Sequence, residues 1–166
     1  RIASAIESVL KGEASMEERS EMLLGSAFSG LAIENSMLGA AHASANPLTA
    51  RLGLAHGHAV ALMIPHVMRY NAEDPAARKT YEQYGELLSR RGYARRPVTE
   101  WVEGLISLAA LPTLAEAGGK PGDFPGLAEE ATRQWTGQFN PRAMTGAGFV
   151  LLYENAMDVS STSRAK

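Results

Sequence analysis

The segment GAAHASANPLTARLGLAHGHAVALMIPHVMRYN, Gly39 to Asn71, holds all four histidines of the chain: His42, His56, His58 and His66. Between them lie small and apolar residues, punctuated by Pro47, Pro65, Gly53 and Gly57. The apolar positions recur at helical spacing, and no alternating run of strand type interrupts them. Pro47 disfavours α geometry at Asn46, so the helix entering this segment is expected to run only to about Ala45. A second helix begins near His56, and Pro65 is expected to kink or interrupt it.

The histidine spacing carries a geometric condition. On one unbroken helix His42 and His56 would stand about 21 Å apart along the axis. A shared metal ion needs both nitrogens within about 2 Å of it, so the chain would have to turn back, and Asn46-Pro47 and Gly53 offer the means. His56 and His58 point about 200° apart around a helix, so at most one of them faces a given centre. His58 and His66 read as exposed or satisfied helix histidines. The residues alone leave His42 and His56 open to the same ordinary reading or to metal ligation.

Working outward, the helical pattern fills the rest of the chain. Ile2, Ile6, Val9 and Leu10 share one helical face that Gly12 closes. Ser15 and Glu18 form a capping box that opens a long helix. That helix is crowded with small residues (Gly25, Ser26, Ala27, Ser29, Gly30, Ala32), which predicts a central, buried position. Downstream, Asp74-Pro75 and Pro97-Val98-Thr99-Glu100 start helices. Asp123 is a candidate cap for the next one, and a final helix follows Thr145. Arg90, Arg91, Arg95 and Arg96 gather near a helix end, as charges complementing that terminus or as a phosphate or partner site. The expected fold is an all-α multi-helix bundle of six to eight helices around one core. It forms a helical domain over residues 1–159 with a polar tail at 160–166.

Bulk properties narrow the function classes. The 166 residues carry a formal net charge of -2, with no basic footprint for nucleic acid or an anionic membrane. With no cysteine, thiolate metal sites and disulfides are excluded, which fits a reducing, cytoplasmic setting. No apolar run has bilayer-spanning length. The chain opens without a methionine inside what reads as a helix, from which a missing upstream portion is expected.

Several motifs carry a family resemblance. The run from Gly39-Ala40-Ala41-His42 through Gly53-Leu54-Ala55-His56-Gly57 to Pro65-His66-Val67-Met68-Arg69-Tyr70-Asn71 resembles the signature region of iron-containing alcohol dehydrogenases. Leu111-Pro112-Thr113-Leu114, Phe124-Pro125 and Asn140-Pro141-Arg142-Ala143-Met144-Thr145 follow in the order found in that family's C-terminal half. The resemblance covers nearly the whole chain. It implies the C-terminal helical metal-binding domain of the dehydroquinate synthase-like, iron-containing alcohol dehydrogenase fold.

The same resemblance implies that His42 and His56 are metal ligands for Fe²⁺, with Zn²⁺ as the other option. An aspartate and another histidine from an upstream helix would complete the set. NAD or NADP would bind an N-terminal nucleotide-binding domain absent from this chain, and no Gly-x-Gly-x-x-Gly sequence occurs here. Members commonly carry a further histidine four residues after the first ligand, where this chain has Asn46. An amide cannot shuttle a proton near neutral pH, so a proton relay at this position is in doubt. The implied activity is NAD(P)-dependent interconversion of small-molecule alcohols with aldehydes or ketones by hydride transfer. The chain alone is expected to be inactive and prone to self-association, as a homo-oligomer. Two alternatives stay open: a non-catalytic helical binding or oligomerisation module derived from such a domain, and a related metal enzyme resembling dehydroquinate synthase or maleylacetate reductase.

Overall fold

The computed structural model describes residues 1–94 and 96–158. Arg95 and the expected polar tail at 160–166 lie outside the described residues. Eight α-helices are present among those described: α1 (Ile2–Leu10), α2 (Met16–Asn35), α3 (Ala40–Leu52), α4 (His56–Asn71), α5 (Pro75–Arg90), α6 (Val98–Ala109), α7 (Phe124–Thr132) and α8 (Gly146–Asp158). Short 3-10 turns cover Pro121–Asp123 and Trp135–Phe139. No strand occurs among the described residues, in agreement with the all-α expectation, and no helix is long and apolar enough to cross a membrane. The described residues divide into two compact units, 1–37 with 78–94 and 96–110, and 38–77 with 111–158.

In the first unit α1 packs against α2 and α6. A side chain added at Gly25 would lie 2.6 Å from Cγ1 of Ile2, so glycine is what lets α1 seat against α2. The capping box is formed as the sequence indicates: Glu18 N–H donates to Ser15 Oγ at 3.2 Å and Ser15 N–H to Glu18 Oε2 at 2.8 Å. The expected burial of α2 is not observed. Gly25 is its one buried residue, while Leu23 is 73% exposed and Phe28 and Leu31 are more than half exposed. Its apolar residues point both toward and away from α1, a distribution that asks for partners on two sides.

The end of α2 also differs from expectation. Rather than running to Ala45, it stops at Asn35, where Asn35 Nδ2 donates to Leu31 O and Ser36 Oγ to Ala32 O, both at 2.8 Å. These short polar side chains engage carbonyls of the last turn and compete with helix continuation. A new helix, α3, then starts after Gly39.

The second unit contains the main core, with Leu48, Met63, Leu114, Phe124, Leu127, Phe149, Leu152 and Tyr153 fully or nearly fully buried. Pro47 does not end α3, nor does Pro65 interrupt α4; both lie inside continuous helices and both are buried. Each proline removes one helical hydrogen bond at a cost of about 3 kcal/mol. Burial of Ala43, Ala45 and Leu48 on α3, and of Met63 and Val67 on α4, offsets that loss. Tyr153 from α8 donates its hydroxyl to Ser44 O at 2.8 Å, fastening α8 to the middle of α3. The α3 chain turns only at Gly53, in the left-handed conformation with φ +67°.

Helix starts at Asp74 and Thr145 are locally encoded. Asp74 Oδ1 accepts the backbone N–H groups of Ala76 and Ala77, each at 2.9 Å. Thr145 Oγ1 accepts that of Gly148 at 3.1 Å. Asp123 occupies the N-cap position of α7, but its side chain makes no capping bond. There the preceding 3-10 turn and Pro125 set the helix start instead.

A buried amide cluster ties α3, α4 and the loop before α8 together. Asn140 Nδ2 donates to Asn71 Oδ1 at 2.6 Å and to Arg142 O at 2.7 Å. Asn140 Oδ1 accepts from Asn71 Nδ2 at 3.1 Å and from the Ala40 N–H at 3.3 Å. Arg142 lies over the Tyr70 ring at 3.8 Å and donates to Tyr70 O at 3.0 Å. Replacing Asn140 with alanine is expected to remove the partner of the Ala40 N–H and both side-chain bonds to Asn71, at a cost of about 3 kcal/mol. Urea unfolding followed by circular dichroism measures that loss, and a stability change below about 1 kcal/mol contradicts it.

Of the two readings of His66, exposed or satisfied, the structure excludes the first: the ring is buried, and burial followed by the nearby Arg69 charge lowers its pKa to about 4. Between pH 6.5 and 4 the unfolded chain binds a proton at this position that the folded chain does not. Stability is therefore expected to fall as pH drops through that window, by on the order of 3 kcal/mol. Urea midpoints at pH 7 and pH 4.5 should differ less for His66→Gln than for the native chain. An equal difference in both overturns this assignment.

Candidate metal site

His42 lies in the first turn of α3, and His56 is the first residue of α4. Ten residues of α3 separate His42 from Leu52, an axial distance of about 15 Å. The non-helical residues 53–55 reach back at most about 10 Å, and the two long imidazole side chains span the remainder. The structure thus brings the two rings together, with centroids 5.4 Å apart and planes inclined at 46°. The return depends on Gly53 and the short run after it, not on Asn46-Pro47.

The electrostatics suit a neutral donor. His42 is half-buried, and its pKa is lowered first by that burial and second by the positive charge His56 would carry. A neutral imidazole presents the lone pair that a divalent metal needs. Nitrogens bound about 2.1 Å from one ion at a tetrahedral angle place their ring centroids roughly 5.3 Å apart. The observed spacing therefore fits two imidazoles sharing one ion. Among the described residues no third histidine, aspartate or glutamate joins them.

The other two histidines are directed elsewhere. The His58 Nε2 atom is 2.7 Å from Pro112 O, a hydrogen bond in which the ring donates to the carbonyl. His66 lies in the interior.

Asn46, one turn beyond His42, is not free. Its Nδ2 donates to Gln134 Oε1 at 2.9 Å, and both side chains line an open pocket of about 390 Å³ with Pro47, Ala50, Glu130 and Arg133. Arg51 closes on Glu130 through Nε and Nη2 at 3.0 and 2.6 Å. Sequence reading missed Gln134. It stands 88 positions from its partner and belongs to no helical pattern, so only the folded chain reveals it.

Residues 1–157 match the Fe-containing alcohol dehydrogenase family, C-terminal. A lactaldehyde reductase of Escherichia coli is 33% identical over 165 residues, covering 93% of this chain and 41% of its own length. A 1-propanol dehydrogenase of Citrobacter freundii is 30% identical over 160 residues, covering 90% of this chain and 43% of its own. Among solved structures, an alcohol dehydrogenase from Oenococcus oeni superposes with a TM-score of 0.78 at 27% identity, over 93% of this chain and 42% of that one. The chain thus spans about two-fifths of the length of the relatives it matches. It belongs to the Fe-containing alcohol dehydrogenase family, to whose C-terminal part it corresponds.

Proposed function

We propose that this chain is the metal-holding part of a larger NAD(P)-dependent alcohol dehydrogenase that interconverts small alcohols with aldehydes or ketones. The observation that carries the reading is the His42–His56 pair, whose rings meet at a spacing suited to one divalent ion. Iron is the expected metal, with zinc as the other option. A bound metal would supply Lewis-acid polarisation of the substrate oxygen, and a nicotinamide held by the rest of the enzyme would supply the hydride chemistry.

The residues of this chain have defined parts in that chemistry. His42 and His56 offer nitrogen donors from two helices whose packing fixes their separation. Burial of His42 keeps its ring unprotonated to lower pH than a free imidazole, so protons compete less well with the metal there. Asn46, bonded to Gln134, can hold a polar group in place but cannot carry a proton onward. Proton exchange with solvent must then run through another group or through water.

The remaining ligands and the nucleotide-binding fold would come from the portion of the enzyme to which the rest of the relatives' length corresponds. A cytoplasmic setting accords with the absence of cysteine.

Titrating the chain with Co²⁺, followed by its visible absorption, tests the metal assignment. His42→Ala and His56→Ala are each expected to weaken binding at least about tenfold. Native-like binding by both variants would sink the assignment. The chain alone is expected to show no NAD(P)-linked alcohol oxidation. Because α2 exposes Leu23, Phe28 and Leu31, it is also expected to self-associate. Light scattering on a size-exclusion column measures this, and a strict monomer at all concentrations contradicts it.

A further inference from the structure

The first turn of α3 carries His42 but has no side chain of its own to cap it. Gly39 is the N-cap residue, and the backbone N–H groups of a first helical turn have no partner within the helix. Asn140, 100 positions along the chain, supplies an acceptor: its Oδ1 takes the buried Ala40 N–H at 3.3 Å. Glycine at position 39 admits that approach, because a side chain there would stand 3.2 Å from Asn140 Oδ1 and 3.6 Å from its Cα.

Asn140 is in turn held from α4, the helix that begins with His56. Its side chain exchanges two hydrogen bonds with Asn71, the last residue of α4. Two residues on, Arg142 donates to Tyr70 O at 3.0 Å and pairs with Glu73 at 2.6 Å. Tyr70 returns a bond from its hydroxyl to Ala143 O at 2.8 Å. On the other side of His42, Tyr153 donates to Ser44 O at 2.8 Å. His42 therefore stands between two anchored backbone positions, Ala40 and Ser44.

Small rotations of α3 matter at the ring. The Cα atoms lie about 2.3 Å from the helix axis and an imidazole reaches roughly 4 Å further, so a rotation of about 10° carries the ring about 1 Å. Metal–nitrogen distances tolerate about 0.2 Å. Apolar packing is non-directional and sets such a rotation less sharply than a hydrogen bond with a preferred angle.

We infer that Asn140 is a positioning residue for the histidine pair. By capping α3 from the end of α4, it sets the rotation of α3 at which the His42 ring meets the His56 ring, and Gly39 provides the space it needs. This rests on the reading of His42 and His56 as ligands of one shared ion.

Cu²⁺ held by iminodiacetate, which leaves positions for two imidazoles, is a suitable probe, and electron paramagnetic resonance of the complex counts the imidazole nitrogens bound to it. The native chain is expected to show two, and His42→Ala and His56→Ala one each. Asn140→Ala is expected to bind the probe at least about tenfold more weakly and to fall to one nitrogen. Gly39→Val, which keeps every hydrogen-bonding group but crowds Asn140 Oδ1, is expected to do the same. Leu152→Ala, a core change in α8, is expected to lower the urea midpoint and still show two nitrogens. Two nitrogens at native affinity in either Asn140→Ala or Gly39→Val, once folded by circular dichroism, overturn the inference. Should Asn140→Ala fail to fold, Gly39→Val decides alone. Loss of the second nitrogen in Leu152→Ala also overturns it, since general loosening would then suffice. A single nitrogen in the native chain defeats the shared-ion reading itself, and the inference with it.

Discussion

A reciprocal pair of buried amides, Asn71 and Asn140, sets the frame on which the second unit is built. Each side chain both donates to and accepts from the other, and Asn140 Oδ1 also takes the backbone N–H of Ala40 at the start of α3. In a buried setting such a cluster is satisfied as a whole or costly as a whole, because losing one member strands the others. It fixes where α3 begins and holds that end near the C-terminal end of α4. Two residues further along α3, His42 faces His56 at the opposite end of α4. The first turn of α3 is thus held from both ends of a helix about 22 Å long. These two attachments, together with the packing of α3 on α4, are what make the ring spacing a property of the fold.

Local chemistry was legible in the sequence wherever a side chain acts on its own backbone. Ser15 with Glu18, Asp74 before Pro75, and the start after Thr145 all appear as read. Prolines were less legible, because their penalty of about 3 kcal/mol is local whereas the compensation is tertiary. Pro47 and Pro65 sit on the buried faces of α3 and α4, and nothing in their immediate neighbours announces that. Alpha2 failed in the other direction. Its small residues do permit one close approach, at Gly25, but small size does not supply a partner for the opposite face.

Of the candidate site, the need for the chain to fold back between His42 and His56 was readable from helix rise alone. Its agent was half legible: of the two candidates, Asn46-Pro47 stays helical and Gly53 makes the turn, in a left-handed conformation available to glycine at little cost. The motifs around Asn71, Asn140 and Arg142 were visible as family resemblance, and the structure gives them a physical role as the clamp between α4 and the loop before α8. Gln134 belongs to no periodic pattern, and its significance arises only from where the 3-10 turn lands on α3.

On the proposed reading, the same geometry would leave this chain dependent on the rest of an enzyme for catalysis while giving it a part in the metal's specificity. Two imidazoles leave at least two positions of a four-coordinate ion, and more of a six-coordinate one, to other donors. Affinity alone is therefore weak. Because both rings stand on packed helices, little conformational entropy is lost when an ion joins them. Donors arriving from elsewhere would then add to a pair of rings whose spacing already suits a shared ion. An all-nitrogen pair without thiolate, in a chain with no cysteine, favours borderline divalent ions over soft ones. The helical unit, on this reading, sets the angle and softness of the site, while the remaining donors set its strength.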